Sequence, residues 1–392
     1  MTKNIKTKKF KYKCIKCNQI GETAQFCQCE KNPYYSYQTI IYNYQSIKER
    51  IDFKSGLIHN LDKYLPILPN NSFAITLGEG NTPLLKFNRL GKFYNIKGLY
   101  VKNEMTNPTG CFKDRETSIV INLAKENHKD KLAIVSSGNA AVSAAAYSNI
   151  ANLECRCFIP KDTSIGKKRL LKIFGAKFRT IKGEYEDIFH YLIDHKNEFS
   201  DYWNITSGAN IFKEEGNKTI SFEIFEQLGV PDTIVVPVGN GGLLFGVYKG
   251  FWELKQLGVI NHIPKFIGVQ IIGNSPVAEA IRQGQDLAEI KNDPKSIAEG
   301  GIAAKESFCS PLVIHALRQT GGSIIEITDK DLVVALKNLI KYESFLTEPT
   351  SLAPFAALSK IKCSTNENIV CVATGNAFKN LQEVFDILNS NH

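Results

Sequence analysis

Short apolar segments alternate with helical patterns along most of this chain, and this alternation constrains the fold more than any other feature. Each segment has the length of a buried strand and ends where a loop carries Gly, Asn, Ser or Thr. The predicted strands are residues 98–102, 131–135, 155–159, 233–238, 266–270 and 368–373, and helices are predicted at 140–150, 167–174 and 185–195. The sequence therefore predicts an α/β protein with two open, mostly parallel sheets and helices on both faces.

A turn-rich loop that continues into a helix is the most informative single stretch. It reads Asn107-Pro-Thr-Gly-Cys-Phe-Lys-Asp-Arg115, and its first residues favour turns while its last favour a first helical turn. Lys113 is therefore expected at or near a helix N-terminus, where its charge opposes the helix dipole. Taken alone it is best explained as an ordinary surface lysine, so a nucleophilic role depends on its neighbours in the fold.

Three predicted strand ends carry further polar groups. Ser136-Ser-Gly-Asn139 opens a helix, where it either caps the helix or binds an anionic group. The glycines of Gly239-Asn-Gly-Gly-Leu243 would let successive amides surround a phosphate, and the lack of a Walker lysine or a dinucleotide spacing favours a single small phosphate. Thr374 ends the last strand with a neutral hydroxyl. Ligand sites of doubly wound sheets lie beyond such strand ends.

Together these groups match what pyridoxal 5'-phosphate requires of a protein. Its aldehyde needs an amine, its phosphate needs many N–H donors, and its ring hydroxyl and ring nitrogen need one partner each. Lys113, the glycine loop, Asn139 and Thr374 are groups of these kinds. The sequence thus predicts this cofactor.

The ordered motifs resemble the signatures of the threonine synthase family, among the tryptophan synthase β-like (fold type II) pyridoxal phosphate enzymes. The resemblance runs from about Leu77 to about Lys379. It is carried by Asn107-Pro-Thr-Gly-Cys-Phe-Lys-Asp-Arg115, Ser136-Ser-Gly-Asn-Ala-Ala-Val-Ser143, Glu215-Gly-Asn-Lys-Thr219, Pro237-Val-Gly-Asn-Gly-Gly-Leu243 and Thr374-Gly-Asn376.

This resemblance implies a lyase that converts O-phosphohomoserine and water to threonine and phosphate. It implies that Lys113 is the Schiff-base lysine and the acid and base, that Phe112 packs beside the cofactor ring, and that Asn139 contacts the ring hydroxyl. It also implies that Thr374 faces the ring nitrogen, and that the substrate carboxylate lies against Ser136, Ser137 and Asn139. The amides that would hold the phosphate are those of Gly239, Asn240, Gly241, Gly242 and Leu243. A homodimer is implied by the family alone.

Four positions depart from the family pattern, and they lie where the distal end of the substrate is expected. Cys111 replaces a common Ser, and its thiol invites oxidation if it ionises. Glu116 replaces a common Gly and adds a negative charge that could repel an anionic substrate. Lys213 stands where an Arg often binds the substrate phosphate. Its ammonium group can bind phosphate but cannot form the two parallel hydrogen bonds of a guanidinium group. Ala377-Phe378 replaces small residues and is expected to narrow the pocket.

These departures keep other activities open. One alternative is β-replacement or β-elimination on phosphoserine, serine or threonine, similar to cysteate synthase or to a dehydratase; another is a catalytically silent homologue. Arg169, with Lys167 and Lys168, offers a second phosphate clamp or else a solvated helix face.

The cysteine pattern near the N-terminus suggests either a metal site or a metal-free loop. Cys14, Cys17, Cys27 and Cys29 could give four thiolates to a structural zinc, although the second pair has one intervening residue instead of two. The other cysteines do not form a disulfide framework, so we expect a cytoplasmic protein with reduced thiols. The net charge is +9, and the excess is concentrated in the first dozen residues, which favours a small anionic substrate or a solvated tail over nucleic acid. No apolar run predicts a membrane span.

The predicted domains follow from the same segments. Residues 1–34 form a cysteine-rich segment, residues 35–96 with 210–392 form a large cofactor-binding domain, and residues 97–209 form a smaller mobile domain that carries Lys113.

Overall fold

The computed structural model of this chain describes residues 9–24, 29, 32–51, 53, 61–290, 296–298, 301–379 and 381–389. These residues form a six-stranded sheet, a four-stranded sheet and a small three-stranded sheet. The two larger sheets are parallel except at one edge, which confirms the predicted fold class.

The strands are β1 (Phe10–Cys14), β2 (Ile20–Gly21), β3 (Gln38–Tyr42), β4 (Leu84–Lys86), β5 (Gly98–Asn103), β6 (Lys131–Val135), β7 (Glu154–Pro160), β8 (Lys177–Ile181), β9 (Trp203–Asn204), β10 (Thr233–Pro237), β11 (Lys265–Ile271), β12 (Ser323–Ile327) and β13 (Asn368–Ala373). The helices are α1 (Tyr44–Ile47), α2 (Asn88–Tyr94), α3 (Lys113–Glu126), α4 (Asn139–Ile150), α5 (Ile165–Ile173), α6 (Tyr185–Asp194), α7 (Lys213–Asn217), α8 (Thr219–Leu228), α9 (Gly242–Gln256), α10 (Pro276–Arg282), α11 (Ser310–Thr320), α12 (Asp329–Glu343), α13 (Ala353–Ala356) and α14 (Leu381–Asn389).

The six-stranded sheet has the order β12-β11-β10-β13-β5-β4, and only β4 runs antiparallel to its neighbour. The central strands β10 and β13 are almost wholly buried, as their continuous apolar sequences predicted. The edge strands β4 and β12 were not predicted from the sequence. Both are short and only partly buried, so they lack the apolar run that reveals a central strand.

The four-stranded sheet has the order β8-β7-β6-β9, with helices α4, α5 and α6 packed near its strands. All of it lies within the segment predicted as the smaller domain. However, β5, which the same prediction placed in that domain, pairs with β13 and β4 in the larger sheet. The division into domains and the mobility of the smaller one stay predictions.

The three-stranded sheet packs against the short helix α7 and the residue just before it. The ring of Phe10 lies 5.6 Å from that of Phe212, just before α7. Tyr42 on β3 donates a hydrogen bond of 2.6 Å to Glu215 on α7. Strands β1 and β3 therefore contact α7 and the residue that precedes it. Among the described residues, no helix combines the length and apolar composition that crossing a membrane requires.

Candidate active site

The loop that precedes Lys113 is closed by hydrogen bonds to its own helix. Gly110 has φ +77°, a left-handed conformation that glycine adopts without strain, and its N–H donates to the Asn107 carbonyl at 2.7 Å. Asp114 accepts from both the N–H and the hydroxyl of Thr109 at 2.6 Å. Asp114 thus ties the loop to the first turn of α3.

Lys113 is the first residue of α3, which confirms the predicted helix start. Its Nζ donates to Glu116 at 2.9 Å and to the Ser207 hydroxyl at 3.1 Å. The ammonium also lies 4.4 Å from the centre of the Phe112 ring. Its side chain is 18% exposed, so the amine is accessible from the site and held by partners from two segments.

Glu116 is buried at the centre of a cluster of polar groups. Its Oε1 accepts from Asn217 at 2.9 Å, its Oε2 accepts from the Ser207 hydroxyl at 2.9 Å, and Lys213 Nζ lies 3.4 Å from Oε2. Burial alone would raise its pKa, but Lys113 and Lys213 bring the pKa of Glu116 below its usual value. The charge that was expected to repel an anionic substrate is therefore compensated by two ammonium groups.

The glycine loop lies between the end of β10 and the start of α9. A Cβ atom on Gly239 would lie 2.1 Å from the Gly301 carbonyl oxygen, and one on Gly242 would lie 2.8 Å from Glu214 Oε1. Gly241 has φ +94°, so the backbone turns sharply into the helix. Side chains are thus excluded at these positions. The amides at the start of α9 have no partners within the helix, so the loop is shaped to surround a phosphate group. We call residues Gly239–Leu243 the cradle.

Hydrogen bonds connect the cradle to Lys113 and to the end of β13. Asn240 donates to the Ser207 carbonyl at 3.1 Å, and Ser207 in turn contacts Lys113. The N–H of Phe112 donates to the Thr374 carbonyl at 3.0 Å. The Thr374 hydroxyl lies 2.6 Å from the Ser351 hydroxyl. Lys113, the cradle and Thr374 therefore meet at one end of the parallel strands.

Asn139 begins α4, but in this structure its amide is engaged by two residues that the sequence did not point to. It donates to Glu348 at 2.8 Å, and its oxygen accepts from Lys379. Burial raises the pKa of Glu348, which the hydrogen bond from Asn139 partly offsets. Ser136 and Ser137 lie in the half-buried turn before α4, where the Ser136 hydroxyl accepts from the Gly138 N–H at 3.2 Å.

Three other predicted positions are less involved. Arg169 is exposed on α5 and makes no hydrogen bond or ion pair with any residue that the structure describes. Cys111 is fully buried, and burial raises the pKa of its thiol to about 12, so the thiolate needed for oxidation is disfavoured. Phe378 is 71% exposed, whereas Ala377 is buried.

Several residues of the site lie outside the sequence motifs and were not predicted. Ser207, Glu348, Ser351 and Lys379 reach it from loops or short helices distant in the chain. Ser207 follows the short strand β9, so a strand end with turn residues was the available signal for it. For Glu348 and Lys379 only the tertiary structure shows the contact.

These residues fit pyridoxal phosphate when tested by their chemistry. The cradle lacks room for side chains but offers amides for a phosphate, the Lys113 amine is accessible, and the Thr374 hydroxyl lies at a strand end. Lys113 would carry the cofactor, the loop Gly239–Leu243 would hold its phosphate, and Thr374 would face its ring nitrogen.

The cysteine-rich segment also brings potential ligands together. The sulfur atoms of Cys14, Cys17 and Cys29 lie within 4.8 Å of one another. Cys27, the fourth predicted ligand, lies outside the described residues.

An amine at a helix start, a glycine cradle and a hydroxyl at a strand end, joined to open parallel sheets, are the features expected of a pyridoxal phosphate enzyme of fold type II. Residues 75–375 match the family model described as pyridoxal-phosphate dependent enzyme, and the chain belongs to this family. It is 35% identical to a threonine synthase of Methanocaldococcus jannaschii, over 94% of this chain and 92% of that protein. It is 33% identical to a threonine synthase of Methanosarcina acetivorans, over 96% and 93% of the two chains.

Solved structures share the fold at lower sequence similarity. Maize serine racemase superposes with a TM-score of 0.67 at 22% identity, over 78% of this chain and 92% of that one. At this identity the likeness supports the fold and not the substrate.

Proposed function

We propose that this protein is a threonine synthase, which converts O-phosphohomoserine and water to threonine and phosphate. The observation that carries the proposal is that a chain similar to threonine synthases over nearly its whole length also brings Lys113, the cradle and Thr374 together. Pyridoxal phosphate, when bound, supplies the electron withdrawal that makes hydrogens at Cα and Cβ of an amino acid removable.

Lys113 is the residue that moves protons in this proposal. Its amine accepts a proton from one substrate carbon and returns it to another, which requires that it be held within reach of both. Glu116 and Ser207 hold Lys113 Nζ by hydrogen bonds. Phosphate leaves from Cγ, and water adds at Cβ.

The anionic ends of the substrate have separate proposed partners. Ser136, Ser137 and the start of α4 bind its carboxylate through amide and hydroxyl groups. Lys213, whose Nζ lies 3.4 Å from Glu116, is the proposed cation for the substrate phosphate. Arg169 is exposed, so its contribution requires the smaller domain to close over the substrate. Hydrogen exchange in residues 115–200 that does not change with substrate would contradict closure.

The proposal is tested with purified protein and a panel of amino acids. O-Phosphohomoserine should release phosphate and give threonine by mass spectrometry, while O-phosphoserine, serine and threonine should give neither replacement nor 2-oxo acid products. Turnover of one of the latter without phosphate release from O-phosphohomoserine would favour the β-replacement or β-elimination alternative. A colourless protein with no borohydride-reducible adduct at Lys113 would favour a silent homologue.

We also propose that Cys14, Cys17, Cys27 and Cys29 bind one structural zinc, since three of these sulfurs already lie within 4.8 Å of one another. Elemental analysis should find one zinc per chain, and cobalt substitution should give the visible d–d bands of a tetrahedral thiolate site. Cys29→Ser should lose the metal, while Cys363→Ser, outside the cluster, should keep it. Metal-free wild-type protein with the same melting temperature would contradict a structural role.

Two further proposals concern the protein in the cell. We infer a homodimer from the family, and sedimentation should give twice the mass of one chain. We infer a cytoplasmic location because the cysteines outside the N-terminal cluster suit a reducing compartment. Thiol titration of freshly isolated protein checks this, since extensive disulfide formation would contradict it.

A further inference from the structure

One buried carboxyl group lies at the cradle without a role in the mechanism above. Glu214 is the second residue of α7 and is only 4% exposed. Its Oε1 lies 2.8 Å from the position that a Cβ atom on Gly242 would take, at the first residue of α9. Its other oxygen, Oε2, has no hydrogen-bond partner among the residues that the structure describes. An unsatisfied polar atom in a buried position is costly and calls for a partner.

The surroundings of Glu214 disfavour a carboxylate. Helix α3 contributes the negative charge of Glu116 and the positive charge of Lys113, and its own helix contributes Lys213 and Glu215. Cys309, just before α11, donates to Glu214 Oε1 at 3.7 Å, and the first residues of α9 carry no titratable side chain. Burial raises the pKa of Glu214 to about 8; Glu116 and Glu215 act in the same direction, while its own backbone N–H and Lys113 act in the opposite direction.

A protonated carboxyl group suits this position because it can donate where a carboxylate cannot. The phosphate group of a bound cofactor is dianionic at pH 7 and above. It would repel a carboxylate but accept a short, charge-assisted hydrogen bond from a carboxylic acid. Oε1 of Glu214 lies beside Gly242, and Oε2 is the oxygen without a partner among the described residues, so the carboxyl group sits next to the cradle with one oxygen free for this bond.

We propose that Glu214 stays protonated in the loaded enzyme and donates a hydrogen bond to the cofactor phosphate held by the start of α9. The carboxyl group thereby makes retention of the cofactor dependent on pH, because ionisation removes the donor and adds a repulsive charge. This inference rests on the proposed cofactor site and extends it by one side chain.

The test compares cofactor affinity at two pH values. Apoprotein is dialysed to equilibrium against pyridoxal phosphate at pH 7 and pH 9, for the wild type and for Glu214→Gln, whose amide donates at both values. The ratio of Kd at pH 9 to Kd at pH 7 should be about tenfold larger for the wild type than for Glu214→Gln. This is the difference expected when one group of the wild type must be protonated for binding. Pyridoxal, which lacks the phosphate, should give equal ratios for the two proteins.

Two controls keep the test decisive. Glu186→Gln removes another acid with a raised pKa outside the cradle and should behave as the wild type. Glu214→Leu retains bulk without a donor and should bind pyridoxal phosphate about tenfold more weakly at pH 7, the size of one hydrogen bond to a charged group. Equal ratios for wild type and Glu214→Gln, or unchanged affinity in Glu214→Leu, would overturn the role of Glu214. Failure of every protein to bind pyridoxal phosphate would instead overturn the cofactor assignment itself.

Discussion

Two clusters of buried charges begin on the same helix, and they are built differently. The site cluster comprises Lys113, Glu116, Ser207, Lys213 and Asn217. The scaffold cluster comprises Thr82, Lys102, Glu104, Arg115 and Glu223. In the scaffold cluster two cations meet two carboxylates. In the site cluster two ammonium groups share one carboxylate.

The two clusters also differ in burial and in how fully their charges are paired. Arg115 is fully buried and donates to both Glu104 and Glu223, with distances from 2.6 to 2.9 Å. Burial would raise the pKa of Glu223, but Arg115 and Lys102 lower it, so its charge is retained. Lys113, two residues earlier, is partly exposed. Neighbouring residues of one helical turn thus fix the scaffold and serve the site.

The largest expected effect is on the reactive side of this comparison. Lys113→Ala should lower kcat by at least about 10³-fold, because it removes the residue proposed both to attach the cofactor and to carry protons. Its melting temperature should stay near that of the wild type. Lys125→Ala, in the last turn of the same helix and exposed, is the matched control and should keep activity. More than a tenth of wild-type activity in Lys113→Ala would remove this lysine from the mechanism.

Substitutions in the scaffold cluster should lower the free energy of unfolding. Arg115→Met leaves Glu104 and Glu223 buried without their partner and should lower the free energy of unfolding by about 3–5 kcal/mol. Arg282→Met, which breaks ion pairs of a half-exposed arginine with Glu279 and Glu326, should cost about 1 kcal/mol or less. Urea denaturation followed by circular dichroism measures both. Similar losses in the two variants would mean that the scaffold cluster does not stabilise the fold.

A third test asks whether the cradle can accommodate a side chain. Gly239→Ala places a methyl group against the Gly301 carbonyl and should weaken binding of pyridoxal phosphate about tenfold, since overpacking costs ~1–3 kcal/mol. Gly166→Ala, where a Cβ meets no atom within 4 Å, should leave this affinity unchanged. Equilibrium dialysis distinguishes the two, and equal affinities would show that the cradle tolerates side chains.

The last test contrasts the raised pKa of one buried carboxyl group with the lowered pKa of another. Because Glu214 has a pKa of about 8 in the folded protein, the folded state holds one proton more than the unfolded state between pH 5 and 7. Unfolding free energy of the apoprotein should therefore fall with rising pH, by about 1.4 kcal/mol per pH unit relative to Glu214→Gln. Glu223, whose pKa is lowered, contributes with the opposite sign: its stabilisation is lost as pH falls below its ordinary range. Parallel stability curves for wild type and Glu214→Gln would contradict the buried acid.

Local sequence was sufficient where a structure depends on local patterns. The apolar runs gave six strands within about one or two residues of their ends, such as β13 at Asn368–Ala373. The turn residues before Lys113 placed the start of α3 correctly. The edge strands β4, β8, β9 and β12 were missed, because half-exposed or very short strands lack a continuous apolar pattern.

By itself, the sequence determined the α/β class and the family, and it predicted Lys113, the glycine loop and Thr374 as residues that hold pyridoxal phosphate. These features depend on spacing within short segments, which the chain displays directly. Only the tertiary structure decided that Glu116 and Lys213 pair with each other beside Lys113, and that Glu214 lies at the cradle with an unpartnered oxygen. The partner and burial of a charge depend on which distant segments pack around it, and these set whether the charge stabilises the scaffold or serves the site.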